Sequence, residues 1–158
     1  MTNPAPQHRN GGLYLDDLHA GQRFTSGEHA LDEGQIKAFA GAFDPQPFHL
    51  DETLARGSLF VGLAASGWHT AAITMRLLVD SGMPIAGGIV GAGAEIAWPN
   101  PARPGDILQV ESEVLSITPS RSRPDRGTVT VRSQTFNQRR EVVQVLTARL
   151  IVPRRPPS

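Results

Sequence analysis

The stretch FDPQPFHLDE, residues 43–52, sets an acid, Asp44, and an imidazole, His49, five positions apart across two prolines. These residue types suit general acid–base chemistry, in which both groups must reach one substrate atom or one water within hydrogen-bond distance. Fully extended, the segment would hold them about 17 Å apart. On the sequence reading Pro45 and Pro47 exclude a helix, which leaves a stiff turn whose fixed φ angles aim both side chains at one point with little entropy lost. The residues alone leave another reading open, with Asp44 capping the turn and His49 a hydrogen-bonded loop histidine. His49, Asp51 and Glu52 are also metal-ligand types. No further ligand follows them at helical spacing, so no metal is expected.

The rest of the chain limits which chemistry is available. There are no cysteines among the 158 residues, which excludes disulfides, thiolate metal sites and cysteine nucleophiles. A 39% hydrophobic chain of this length predicts one domain that buries roughly two thirds of its unfolded surface. No apolar run approaches a membrane span, and MTNPAPQHRNGG lacks the apolar centre of a signal peptide, so the expected location is cytoplasmic. The net charge is zero but unevenly spread. Residues 1–120 carry 6 Lys or Arg against 13 Asp or Glu, whereas residues 121–158 carry 9 Arg against Asp125 and Glu141. A basic quarter of this kind suits solvated strand faces or a phosphate-bearing partner. Nucleic acid is not expected, because Phe136 is the only aromatic after Trp98 and base stacking needs aromatics among the basic residues.

The elements that must position the pair are readable from periodicity. Residues 1–12 and 154–158 read as tails around a single domain, 13–153, with neither linker nor repeat. A short strand is expected over 22–30. A helix follows, with Asp32 as cap, Gln35 three residues on, and Ile36, Phe39, Ala40 and Phe43 on one face. Pro45 ends it, because its ring disfavours the helical conformation at Asp44. After a glycine-bearing loop, SGWHTAAITMRLLVDSG is apolar nearly all round and predicts a buried helix with Gly82 as a stop. Residues 88–98, 106–118, 127–138 and 141–152 alternate as strands. The fold class is therefore α+β, an antiparallel sheet over one helix.

FDPQPFHLDETLA, with Gly67 of ASGWHT 18 residues after the histidine and NPARPGD further on, resembles the MaoC-like dehydratase family, which includes the (R)-specific enoyl-CoA hydratases. The family pattern is Asp-x-Asn-Pro-x-His-x-Asp, then a glycine opening the central helix, then a Pro-Gly-Asp turn. The likeness runs over about residues 15–152. It implies a hot-dog fold, an antiparallel sheet wrapped around a central helix, and a homodimer or higher homo-oligomer. It also implies water addition or removal at the 2,3 bond of an acyl-CoA thioester. Asp44 and His49 would be the catalytic pair. The Gly67 N–H would bond the thioester oxygen, and a free helix N-terminus with no side chain in the way suits that role. No cofactor is implied beyond the CoA of the substrate. The family's asparagine is Gln46 here, with Pro45 before it, so the amide would reach the site from a different geometry.

Further contacts are expectations of the same reading. Ser66 is read as the N-cap of the second helix, with a polar substrate contact as the alternative. Met83 and Ile85 in SGMPIAGGIVG are read as lining for the acyl group. Arg121, Arg123 and Arg126 in SRSRPDRG could meet the CoA phosphates, on this subunit or a neighbouring one. Two rival functions fit the fold class. One is a hot-dog thioesterase, which would release free CoA thiol. The other is a non-catalytic acyl-CoA-binding subunit, in which the Asp/His pair would not be needed.

Overall fold

The computed structural model describes residues 11–158, so most of the N-terminal tail lies outside the described residues. The chain forms β1 (Arg23–Ala30), α1 (Glu33–Phe43), α2 (Pro47–Leu50), α3 (Glu52–Arg56) and α4 (Gly67–Leu77). After a π-helical turn at Leu78–Gly82 come β2 (Val90–Ala97), β3 (Ile107–Pro119), β4 (Arg126–Phe136) and β5 (Val142–Pro153). All neighbouring strands pair antiparallel, in the order β1-β3-β4-β5-β2. This is the hot-dog arrangement, with α4 lying against the sheet.

Strand alternation builds the core. Leu108, Val110 and Val114 of β3 and Val129 and Val131 of β4 turn inward every second residue. They meet Ile73, Leu77 and Leu78 from α4 and its last turn. The polar residues that share this inner face are paired with each other. The Ser112 and Ser133 hydroxyls lie 2.7 Å apart, and those of Thr74 and Thr135 lie 2.6 Å apart, as buried polar groups must be to avoid the cost of desolvation.

The first helix starts as its sequence suggests, with the Asp32 carboxylate accepting from Gln35 N at 2.8 Å. Two expectations need correction. Pro47 does not exclude a helix. It opens the one-turn α2, because the first helical position needs no N–H and the ring already has helical φ. Nor is α4 enclosed all round: Trp68, Met75 and Val79 are exposed on the side away from the sheet. The edge strand β2 is also largely exposed along its length. At the C-terminus, Arg155 leaves the sheet but is held, its N–H donating to Asp16 and its guanidinium to Asp17.

If α4 is the spine of the core, Leu77→Ala should lower the unfolding free energy by about 3 kcal/mol. Urea denaturation measures this, with an unchanged dependence on denaturant. A loss below about 1 kcal/mol would contradict the packing described.

Candidate active site

Asp44 takes the C-cap of α1 with φ −150° and ψ 67°, out of the helical region as the following proline requires. Its carbonyl accepts from Gln46 N at 2.7 Å, and α2 then starts at once at Pro47. The chain therefore doubles back within a few residues. His49 rides on α2 and brings Nε2 to 3.3 Å from Asp44 Oδ2, so the expected turn brings to contact distance two groups that an extended chain would hold about 17 Å apart. Asp51, the last residue of the motif, is structural: its carboxylate accepts from Leu54 N at 2.9 Å and caps α3.

The imidazole is buried, 4% exposed, and its Nδ1 lies 2.6 Å from the Ala64 carbonyl. A carbonyl can only accept, so the hydrogen-bond network assigns the Nδ1 proton to that bond and leaves Nε2 facing Asp44. Phe48 meets the ring edge-on at 4.6 Å and Phe60 lies at 5.9 Å.

The carboxylate is held as firmly. Ser66 Oγ donates to Asp44 Oδ2 at 2.7 Å, and Gln46 Nε2 donates to Oδ1 at 2.6 Å. The serine hydrogen bond, helped by Gln46 and by the charge of His49, holds the acid below the usual carboxylate range, against the opposing effect of burial. Asp44 is thus anionic near neutral pH. Ser66 stands at the N-cap position, but its side chain makes no cap bond, so the cap reading is corrected: it fixes Asp44 instead. The longer Gln46 amide reaches the acid directly.

Ser66 also marks the start of α4. Its carbonyl accepts from His69 N and Thr70 N, whereas the N–H groups of Gly67 and Trp68 find no acceptor among the described residues. The two free donors point out of the helix N-terminus, where its dipole is positive. Beside them is a cavity of about 560 Å³, lined by Gln46, Phe48, His49, Phe60, Gly67, Thr70, Trp98 and residues 99–102. Asp44 lies just behind the wall that Gln46 and His49 make. Among the described residues no Lys or Arg lines this cavity.

Other residues expected at the site lie elsewhere. Met83 and Ile85 are core residues, 3% and 8% exposed, and do not line the cavity. Arg121, Arg123 and Arg126 sit on or beside the β3–β4 turn, whereas the cavity lies near the start of β5, where β4 ends. The 11 residues of β4 put the two ends about 33 Å apart. Arg126 is paired there with Asp125.

Two further residues shape the cavity. Arg103 donates to the carbonyls of Phe60, Gly62 and Leu63, gripping the loop that carries Phe60 and leads to Ala64. That loop holds Val61 at φ 55°, a strained conformation for a β-branched residue. Trp98, just past β2, lies over Gly67. The only signals for them in the sequence are a cation inside a proline-rich turn and a tryptophan at a strand end. His69 stacks on Phe39 at 4.6 Å and is not part of the cavity wall.

Residues 18–137 match the MaoC like domain family. The chain belongs to that family. This MaoC-like domain is 36% identical over 130 residues to protein YdeM of Bacillus subtilis, covering 80% of this chain and 89% of that one. Its fold superimposes on a MaoC-like dehydratase from Rhodospirillum rubrum with a TM-score of 0.91 and 67% identity, over 92% of this chain and all of the other. Against the R-hydratase PhaJ1 of Pseudomonas aeruginosa the TM-score is 0.74 at 25% identity, covering 93% and 96% of the two chains. These likenesses place the MaoC-like domain in a family of hydratases and dehydratases.

Ser66→Ala should raise the pH at which Asp44 titrates, because it removes the largest influence holding that acid ionised. The carboxyl carbon resonance of Asp44, followed against pH by NMR, measures this. An unmoved midpoint would show that Ser66 does not hold the charge.

Proposed function

We propose that this protein is a hydro-lyase that adds water to, or removes it from, the 2,3 bond of an enoyl-CoA thioester. The observation that carries the reading is the convergence on one cavity of His49, backed at 3.3 Å by anionic Asp44, and the free N–H of Gly67. In hydration, the water oxygen bonds to C3 while the Asp44–His49 pair takes one of its protons. A proton is delivered to C2, so the elements of one water are added across the double bond. Negative charge passes through the thioester oxygen on the way, and the Gly67 N–H, fixed before the substrate arrives, stabilises it there. The roles of acid and base are left to the pair together and are not divided between its members.

Ser66 and Gln46 act as positioning residues. Each of their hydrogen bonds engages one oxygen of Asp44, which orients the carboxylate toward the imidazole. Family membership and the likeness to an R-hydratase support this chemistry. The expected test is loss of enoyl-thioester absorbance when crotonyl-CoA is added to the purified protein. Asp44→Asn and His49→Gln, shown to be folded, should each lose about a hundredfold or more in turnover. Release of free CoA thiol instead would favour a thioesterase. Inactivity of the wild type on crotonyl-CoA and on longer and branched enoyl-CoAs would reject the catalytic reading.

The working unit of this reading is a homodimer. The exposed apolar stripe of Trp68, Met75 and Val79 and the outer edge of β2, which pairs with no strand among the described residues, support it, since a lone domain gains nothing by leaving either to water. A second copy would also be needed for Arg121, Arg123 and Arg126 to meet the phosphates of a CoA bound at this cavity. Sedimentation should give twice the mass of one chain, and Met75→Glu combined with Val79→Glu should halve it. A wild-type monomer would overturn the assembly.

A further inference from the structure

The indole of Trp98 occupies the space in which a side chain at residue 67 would have to stand. A Cβ built on Gly67 would come within 2.6, 2.7 and 2.9 Å of Cε2, Cδ2 and Cζ2 of that ring. No real Cβ contact is that short, so the indole where it stands leaves room only for glycine at residue 67. The ring is also anchored. Its Nε1–H donates to Gln144 Oε1 at 2.9 Å, and Gln144, fully buried, donates from Nε2 to Thr74 Oγ1 at 3.1 Å. The Thr74 hydroxyl donates in turn to the Thr70 carbonyl inside α4. Trp68 closes the outer side, its ring edge-on at 5.2 Å. The same indole lines the cavity beside Gly67 and Thr70.

From this geometry we infer that Trp98 is the specificity-determining wall of the site, selecting enoyl thioesters that are unbranched at C2. The inference rests on the hydratase reading, which places the thioester oxygen on Gly67 N–H. In the proposed pose the acyl side of the thioester faces the indole, so that an oxygen at about 2.9 Å from that nitrogen brings C2, two bonds further on, within a few ångströms of the ring. A hydrogen on C2 fits there. A methyl group meets a ring that cannot swing away, because its N–H is tied through Gln144 to the central helix. A linear chain still has room, since the side of the cavity toward Leu59 and Phe60 is framed by a loop and not by the sheet.

The test compares kcat/KM for crotonyl-CoA and for its 2-methyl analogue, tiglyl-CoA, in wild type, Trp98→Phe and Trp98→Ala. A fitted apolar pocket discriminates one methyl group by about tenfold to two-hundredfold. Wild type should therefore prefer crotonyl-CoA by about tenfold or more, and Trp98→Ala should bring the ratio near one, with Trp98→Phe between. A second measurement does not depend on turnover. In a Trp68→Phe protein, where Trp98 is the sole tryptophan, saturating butyryl-CoA should change the indole fluorescence, and isobutyryl-CoA should bind at least about tenfold more weakly. If wild type hydrates crotonyl-CoA but the ratio is the same in folded Trp98→Ala, the wall assignment alone is wrong. It is also wrong if the two saturated thioesters bind equally. If wild type hydrates no enoyl-CoA and butyryl-CoA leaves Trp98 unchanged, the hydratase reading fails and takes this inference with it.

Discussion

One side of α4 is committed to the sheet, and that constraint sets the site. A helix held by Ile73, Thr74 and Leu77 against β1, β3 and β5 cannot slide or turn, so its first two N–H groups point to a fixed place. Everything chemical is measured from that place. Ser66, one residue before the helix, carries the bond that ties Asp44 to it, and Asp44 in turn faces His49. The acid, the imidazole and the free amides come from three separate helices, yet each is referred to the same end of α4.

The polar groups inside the core serve the same rigidity. Thr74, Thr135 and Gln144 are fully buried, and their hydrogen bonds run from the helix through the sheet to Trp98. Replaced by apolar side chains, such a cluster would pack as well, but it would not specify one orientation of the indole. A satisfied buried network fixes a unique arrangement of the groups it joins.

What the sequence makes legible here is what depends on near neighbours. The Asp32–Gln35 cap, the four long strands and the bend forced by Pro45 each follow from a few consecutive residues, and each stands where periodicity puts it. The Asp44–His49 pair is legible for the same reason, its two members being joined by one short turn. Ser66 is different. A serine before a helix looks like a cap, and only the docking of α1 against α4 reveals the carboxylate its hydroxyl prefers. Met83 and Ile85 have the composition of a tunnel wall, but apolar residues after a helix serve a core equally well, and the difference lies in where the sheet closes. The exposed stripe on α4 and the turn after it is hidden by a similar ambiguity, since apolar residues left at the surface are of the same types as those kept for the interior.

The bond from His49 Nδ1 to the Ala64 carbonyl looks like a local detail, but that carbonyl sits at the end of the loop that Arg103 grips at three points. A guanidinium that never touches the imidazole thus helps to hold the carbonyl that accepts from its Nδ1, beside the backbone bonds from Ala64 N to Phe48 and from Ala65 N to Ala102. Lysine would keep the charge at position 103, yet a single ammonium on a flexible stem cannot reproduce a planar fork spread over several carbonyls. The loop would then be free to relax Val61 out of its strained φ, carrying Ala64 with it. The orientation of the ring and the shape of a surface loop are thus coupled through one side chain that belongs to neither.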